Sequence, residues 1–241
     1  MDAALSYADA HIDAFVEDLE ELLRIPSVST DSAYDKHVRQ AADWLAARFD
    51  AAGLDHAEVV ETDGHPIVFA EHHAGDDRPT VIVYGHYDVQ PPDPLEEWDT
   101  DPFEPTRRNG TVYARGACDD KGQMFMHVTA AEALLQDGDP PVNLKFVIEG
   151  EEETGSMAVE TFIEENADRL EGDVVLISDT AMFSEETPSI VYGLRGLAYA
   201  EITLQGPNRD LHSGNYGGAV DNPANALGRI IAGLHDDEHR I

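Results

Sequence analysis

His86 and Asp88 stand at the end of an apolar run, Val81-Ile82-Val83-Tyr84-Gly85-His86-Tyr87-Asp88. Asp119 and Asp120 sit between two glycines in Gly116-Ala117-Cys118-Asp119-Asp120-Lys121-Gly122. Glu149, Glu151, Glu152 and Glu153 close a second apolar run that ends at Ile148, and Asp179 follows another that ends at Ile177. One imidazole and several carboxylates are the ligand set of a two-metal hydrolytic site, in which one carboxylate must reach both ions. Asp119, in a glycine-flanked turn, is placed to bridge. His86 and Asp179 would complete one ion and Glu153 would serve the second. Glu152 would stay off the metals as general base, carrying a proton from an activated water to the leaving amine. Asp88 lies two residues past His86, hence on the same side of an extended strand, and would orient the imidazole. Taken singly, these residues read as a structural histidine, helix N-terminal acids or a solvated charged face. Together they fall in one place, because ligands gather at the carboxyl ends of parallel strands.

The elements that must position them follow from periodicity. Ile12, Phe15, Val16, Leu19, Leu22 and Leu23 recur at helical spacing, and Pro26 ends that helix by Ile25. Val38, Ala41, Leu45, Phe49 and Ala52 mark a second helix, with Gly53 at its C-terminal cap. Strand-like runs follow at 57–61, 67–71 and 80–84. A helix is expected over 121–136, a buried strand over 142–148, a helix capped by Ser156, and a buried strand over 174–177. The polar, proline-rich stretch 90–109 is a long loop pinned by Trp98 and Phe103, and loops of that length beside a site are often functional. Strands alternating with helices predict an α/β fold, a three-layer sandwich with a mixed, largely parallel sheet. Near Pro188 the texture changes. Strands at 190–192 and 197–204 and a capped helix over 223–234 are expected to open a smaller α+β domain, which divides the chain into 1–188 and 189–241.

Composition narrows the class. The chain of 241 residues carries 49 Asp and Glu against 15 Lys and Arg, a net charge of -34, with 42% hydrophobic residues. The apolar fraction is that of a folded domain. The acids are spread along the chain, as on a surface adapted to concentrated salt where self-repulsion is screened. No basic patch exists for nucleic acid. A single cysteine, Cys118, excludes an internal disulfide. No run has the length of a membrane span or the form of a signal peptide, so a cytoplasmic protein is expected.

In combination these motifs resemble the di-zinc metallopeptidases that include carnosinase-type dipeptidases, acetylornithine deacetylase, succinyl-diaminopimelate desuccinylase and aminoacylases. The resemblance rests on Gly85-His86-Tyr87-Asp88-Val89-Gln90-Pro91, on 115–122, on Glu149-Gly150-Glu151-Glu152-Glu153-Thr154-Gly155-Ser156, on Ile177-Ser178-Asp179 and on Asp210-Leu211-His212-Ser213-Gly214. It implies two Zn2+ ions, with Mn2+ or Co2+ as substitutes. His86, Asp119, Glu153 and Asp179 would be the ligands and Glu152 the base. It further implies that His212, in a lid domain, stabilises the oxyanion, that the Asp119-Asp120 peptide is cis, and that relatives dimerise through the lid. Gln90-Pro91 and an aspartate at 179 lean toward the dipeptidase branch, acting on short peptides. An N-acyl-amino-acid deacylase is the alternative enzyme. Such relatives are longer, and a returning segment brings the last zinc-ligand histidine. The chain is therefore expected to be a fragment ending inside the lid, and an inactive metal-binding piece is the second alternative. His235-Asp236-Asp237-Glu238-His239 matches an inverted zincin pattern, but without structural context it is set aside.

Overall fold

A computed structural model describes residues 2–136, 138, 140–184, 186–187, 189–238 and 240–241. The chain separates into two compact units, 1–189 and 190–241. Pro188, at the expected change of texture, lies outside the described residues, as does His239 of the inverted zincin pattern.

In the first unit, helices α1 (Asp2–Leu23) and α2 (Asp35–Ala52) precede strands β1 (His56–Val60), β2 (Ile67–His72) and β3 (Thr80–His86). A small hairpin, β4 (Thr106–Arg108) and β5 (Thr111–Tyr113), leads to α3 (Lys121–Gln136), β6 (Asn143–Glu149), α4 (Met157–Glu165) and β7 (Val174–Ile177). The five-stranded sheet has the order β1-β2-β6-β3-β7. β2 pairs antiparallel with both β1 and β6, whereas β3 pairs parallel with β6 and β7. β2 alone is therefore reversed, and the ends of β3, β6 and β7 open on one side.

The strand period of two builds the layers. On β2, Val68 and Ala70 enter one buried cluster, with Leu45, Phe49, Met124 and Val128 from α2 and α3. Ile67 and Phe69 enter another on the opposite face, with Val159 and Phe162 of α4. Leu144, Phe146 and Ile148 of β6 join the first cluster, and Val147 the second. The three layers are thus helices α1 to α3, the sheet, and α4. Gly53 caps α2 at φ 93°, in the left-handed region that favours glycine.

Three local expectations change. β7 is apolar, but its residues are between 40% and 60% exposed, because it pairs only with β3 and lies at the edge of the sheet. Ser156 occupies the N-cap of α4 at φ 57° without a side-chain cap bond. Glu151 serves that terminus, its Oε1 accepting from the Ala158 amide at 2.7 Å. In the second unit the strands expected at 190–192 and 197–204 do not form, and Tyr192 and Leu197 stand 100% and 86% exposed. Alternating polarity selects an extended chain, but a strand also needs a ladder partner, and the described residues of that unit offer none. The unit holds α5 (Ser213–Tyr216) and α6 (Pro223–Gly233), the latter capped by Asn222 accepting from the Ala224 amide at 2.9 Å. Among the described residues no helix is long and apolar enough to cross a membrane.

Candidate active site

The carboxyl ends of β3 and β7 and the turn before α3 bring His86, Asp119 and Asp179 together, with one ligand atom of each within 4.8 Å of the others. His86 Nε2 lies 3.2 Å from Asp119 Oδ1 and 3.8 Å from Asp179 Oδ2. The Asp119-Asp120 peptide is cis, as the resemblance implied. The turn is compact. A side chain at Gly122 would meet the Ala117 carbonyl oxygen at 2.1 Å, and one at Gly85 would meet Asp120 Oδ2 at 2.7 Å.

His86 is fully buried, and its other nitrogen fixes its orientation. Nδ1 lies 3.1 Å from the Asp88 carbonyl oxygen and 3.3 Å from Asp88 Oδ1, so its proton points there. Nε2 is buried without a hydrogen-bond partner. Burial alone would push the imidazole down, but the bond to Asp88 and the charges of Asp88, Asp120 and Glu152 hold it up at about 10. The second proton thus faces Asp119 and Asp179, the place where a divalent cation would replace it. One nitrogen and two carboxylate oxygens around a buried, unpartnered atom fit such an ion.

Asp88, also fully buried, does more than orient a ring. Oδ1 accepts from the Glu152 amide at 3.2 Å, while Oδ2 accepts from the Glu153 amide at 3.2 Å and from Ser29 Oγ at 2.6 Å. One carboxylate therefore fixes the imidazole and the backbone of both glutamates. Glu153 does not join the group of three; its Oε2 accepts from Gln90 Nε2 at 2.7 Å. Burial raises the Glu152 carboxyl above the ordinary range, and the charges of Glu153, Asp179 and Asp88 add to this against the opposing charge of His86. Burial likewise raises Glu153, with the charge of Asp119 adding to it. His212 lies in the second unit and is described there by itself; its Nδ1 accepts from the Gly214 amide at 3.0 Å.

Several contributors escaped the motif reading. Asp120 Oδ2 accepts from the His86 amide at 3.1 Å, and burial pushes the Asp120 carboxyl up to about 7. Lys121 is fully buried, and its Nζ donates to the Leu22 and Ile25 carbonyls at 3.0 and 2.7 Å, which ties the ligand turn to the end of α1. His127 Nε2 is 2.6 Å from Ser178 Oγ, beside Asp179, and burial holds that imidazole below its usual value. Only the residue types of these side chains were visible in the sequence; their partners lie far away along the chain.

Comparison with known proteins gives the family. Residues 82–226 match the model of the peptidase family M20/M25/M40. The Cys-Gly metallodipeptidase dug1 of Schizosaccharomyces pombe is 37% identical over 97% of this chain and 52% of its own length. The M20 family metallo-carboxypeptidase Sso-CP2 of Sulfolobus solfataricus superposes with a TM-score of 0.79 at 35% identity, over 94% of this chain and 51% of that one. Human carnosine dipeptidase 1 superposes with a TM-score of 0.78 at 30% identity, over 100% of this chain and 53% of that one. The chain spans about half the length of the relatives it matches. The family match covers more than half of the chain, and the chain belongs to peptidase family M20/M25/M40.

Proposed function

We propose that this chain carries the metal-binding half of a hydrolase that cleaves the amide bond of dipeptides or other short peptides. The observation that carries the reading is the buried, unpartnered His86 Nε2 facing Asp119 and Asp179. His86, Asp119 and Asp179 would hold one divalent ion, and Glu153, with Asp119 as bridge, would hold a second. Zinc suits this nitrogen and oxygen set, with Mn2+ or Co2+ as substitutes. Bound metal supplies Lewis-acid polarisation of the scissile carbonyl and makes water a stronger acid.

The remaining chemistry belongs to the protein. Glu152 accepts a proton from the attacking water and returns it to the departing amine. Its raised carboxyl suits both halves of that transfer. Asp88 keeps the His86 ring and the Glu152 and Glu153 backbone in register. His212 is assigned the oxyanion that forms on the substrate carbonyl, by donating a hydrogen bond to it. The full protein is proposed to act as a homodimer through the second domain, in the cytoplasm, at high salt.

The likeness to a metallo-carboxypeptidase favours a second reading, removal of a C-terminal residue from a longer or blocked peptide. Hydrolysis of a free dipeptide against its N-acetylated form, by Co2+- or Zn2+-loaded protein, separates the two. A dipeptidase cleaves only the free form, whereas a carboxypeptidase or deacylase accepts the blocked one. Glu152→Gln is expected to lower kcat by about a hundredfold or more while metal stays bound. Retained turnover would remove Glu152 from its role.

A further inference from the structure

We propose that Ser29, which no motif singles out, is a positioning residue of this metal site, acting through Asp88. The inference rests on the functional reading above only where it concerns the metal.

Its basis is a chain of contacts from the end of α1 into the site. After α1 the backbone runs beside the segment that follows β3. Val28 and Val89 form a parallel bridge, the Val89 amide donates to the Ser27 carbonyl at 3.0 Å, and Ser27 Oγ donates to the Tyr87 carbonyl at 2.6 Å. Three contacts therefore fix the backbone on the N-terminal side of Ser29. On its own carbonyl, Ser29 is met by His65 Nε2 at 3.3 Å. With the backbone held, the hydroxyl has one acceptor on Asp88. The 2.6 Å bond from Ser29 Oγ to Oδ2 is the shortest of the contacts that this carboxylate makes.

The geometry gives that bond leverage. Oδ2 is shared between the Ser29 hydroxyl and the Glu153 amide, while Oδ1 takes the Glu152 amide and faces His86 Nδ1. A carboxylate is planar, so the contact at Oδ2 sets the rotation that places Oδ1. Without the hydroxyl, Asp88 keeps the two long amide bonds and the 3.3 Å contact to His86 Nδ1, all weaker restraints, and can turn about its last torsion, a broad one in aspartate. The Glu152 and Glu153 turn and the His86 ring would then loosen together, although the Ser29 hydroxyl is bonded to Asp88 rather than to any of them. Partners in direct contact with a metal ligand, as Asp88 is with His86, commonly change affinity by about tenfold to a hundredfold, and Ser29, one bond further out, should change it by less.

The test uses the 241-residue chain with Ser29→Ala and Ser29→Thr. Amide exchange is read by NMR without metal, and Co2+ affinity by the visible absorption of the ion. For Ser29→Ala we expect about tenfold faster exchange at the Glu152 and Glu153 amides and severalfold weaker Co2+ binding, less than Asp88→Asn gives. Exchange at core amides such as Leu45 and Phe146 should be unchanged, and Ser29→Thr should restore both readouts. Unchanged exchange at 152 and 153, or an acceleration spread equally over the core, would overturn the proposal. If the parent chain takes up no Co2+, the metal reading fails, while the two amides still decide the role of Ser29.

Discussion

Replacing Asp88 by Asn keeps the size of a fully buried side chain, removes its negative charge and changes its hydrogen-bonding character. The carboxylate accepts at both oxygens, from Ser29 Oγ and the Glu153 amide on one side and from the Glu152 amide on the other. An amide offers one acceptor. The better orientation keeps its oxygen toward Ser29 and Glu153, where two bonds survive, and turns its NH2 toward the Glu152 amide and His86 Nδ1. The charge-assisted bond from the Glu152 amide and the contact to His86 Nδ1 are lost, and the NH2 faces two other donors, at a cost of about 2–3 kcal/mol for a fully buried side chain. The imidazole keeps one partner, the Asp88 carbonyl at 3.1 Å, so the ring is loosened rather than released. Metal affinity should then fall by about tenfold, the lower end for such partners. Urea titration gives the first quantity, and competition with a chromophoric chelator gives the second. An unchanged urea midpoint together with unchanged affinity would refute the hub assigned to Asp88.

Other outcomes follow from the same structure. Burial, joined by the charges of Asp88 and Glu152, raises the Glu149 carboxyl in the fold, partly opposed by its bond from Tyr84. A carboxyl that holds its proton more tightly when folded loses stability as pH rises through its raised value. Glu149→Gln, which still accepts from Tyr84, should therefore gain on the parent as pH climbs above about 4.5; a constant difference in denaturant midpoint would remove Glu149 from that account. With a net charge of -34, raising KCl should raise the unfolding midpoint by screening, and circular dichroism melts that ignore salt would exclude salt adaptation. His127→Phe removes the contact to Ser178 and should weaken metal binding severalfold while leaving the core intact; unchanged affinity in a metal titration would show that Asp179 is held without it.

Much of the site was legible in the sequence because chemistry sits there at strand ends. An apolar run that stops at His86 or Ile177 announces both a strand and what lies past its tip. The helix over 121–136 and the strand over 174–177 were legible for the same reason, and the other strands of the sheet were placed with ends one or two residues off, since periodicity reports which face is buried rather than where pairing stops. Periodicity says nothing of direction, so the reversal of β2 was hidden. It says nothing of neighbours either. Val174 to Ile177 carry the residues of a central strand and stand at an edge, and the alternation over 197–204 met no ladder partner. Lys121 is the case of a charge whose burial no local pattern foretells: two carbonyls from the end of α1, about a hundred residues earlier, satisfy it.

The edge position of β7 has a mechanical meaning for the chemistry. Of the three residues proposed as ligands, His86 rides on a strand clasped from both sides and Asp119 on a turn braced by Lys121. Asp179 rides just past the tip of a strand that, among the described residues, pairs with β3 alone, and it is held further by the contact from His127 to Ser178. Fraying of that margin would carry Asp179 away from His86 and Asp119, so any cation that the three residues held would be gripped only as firmly as that strand is.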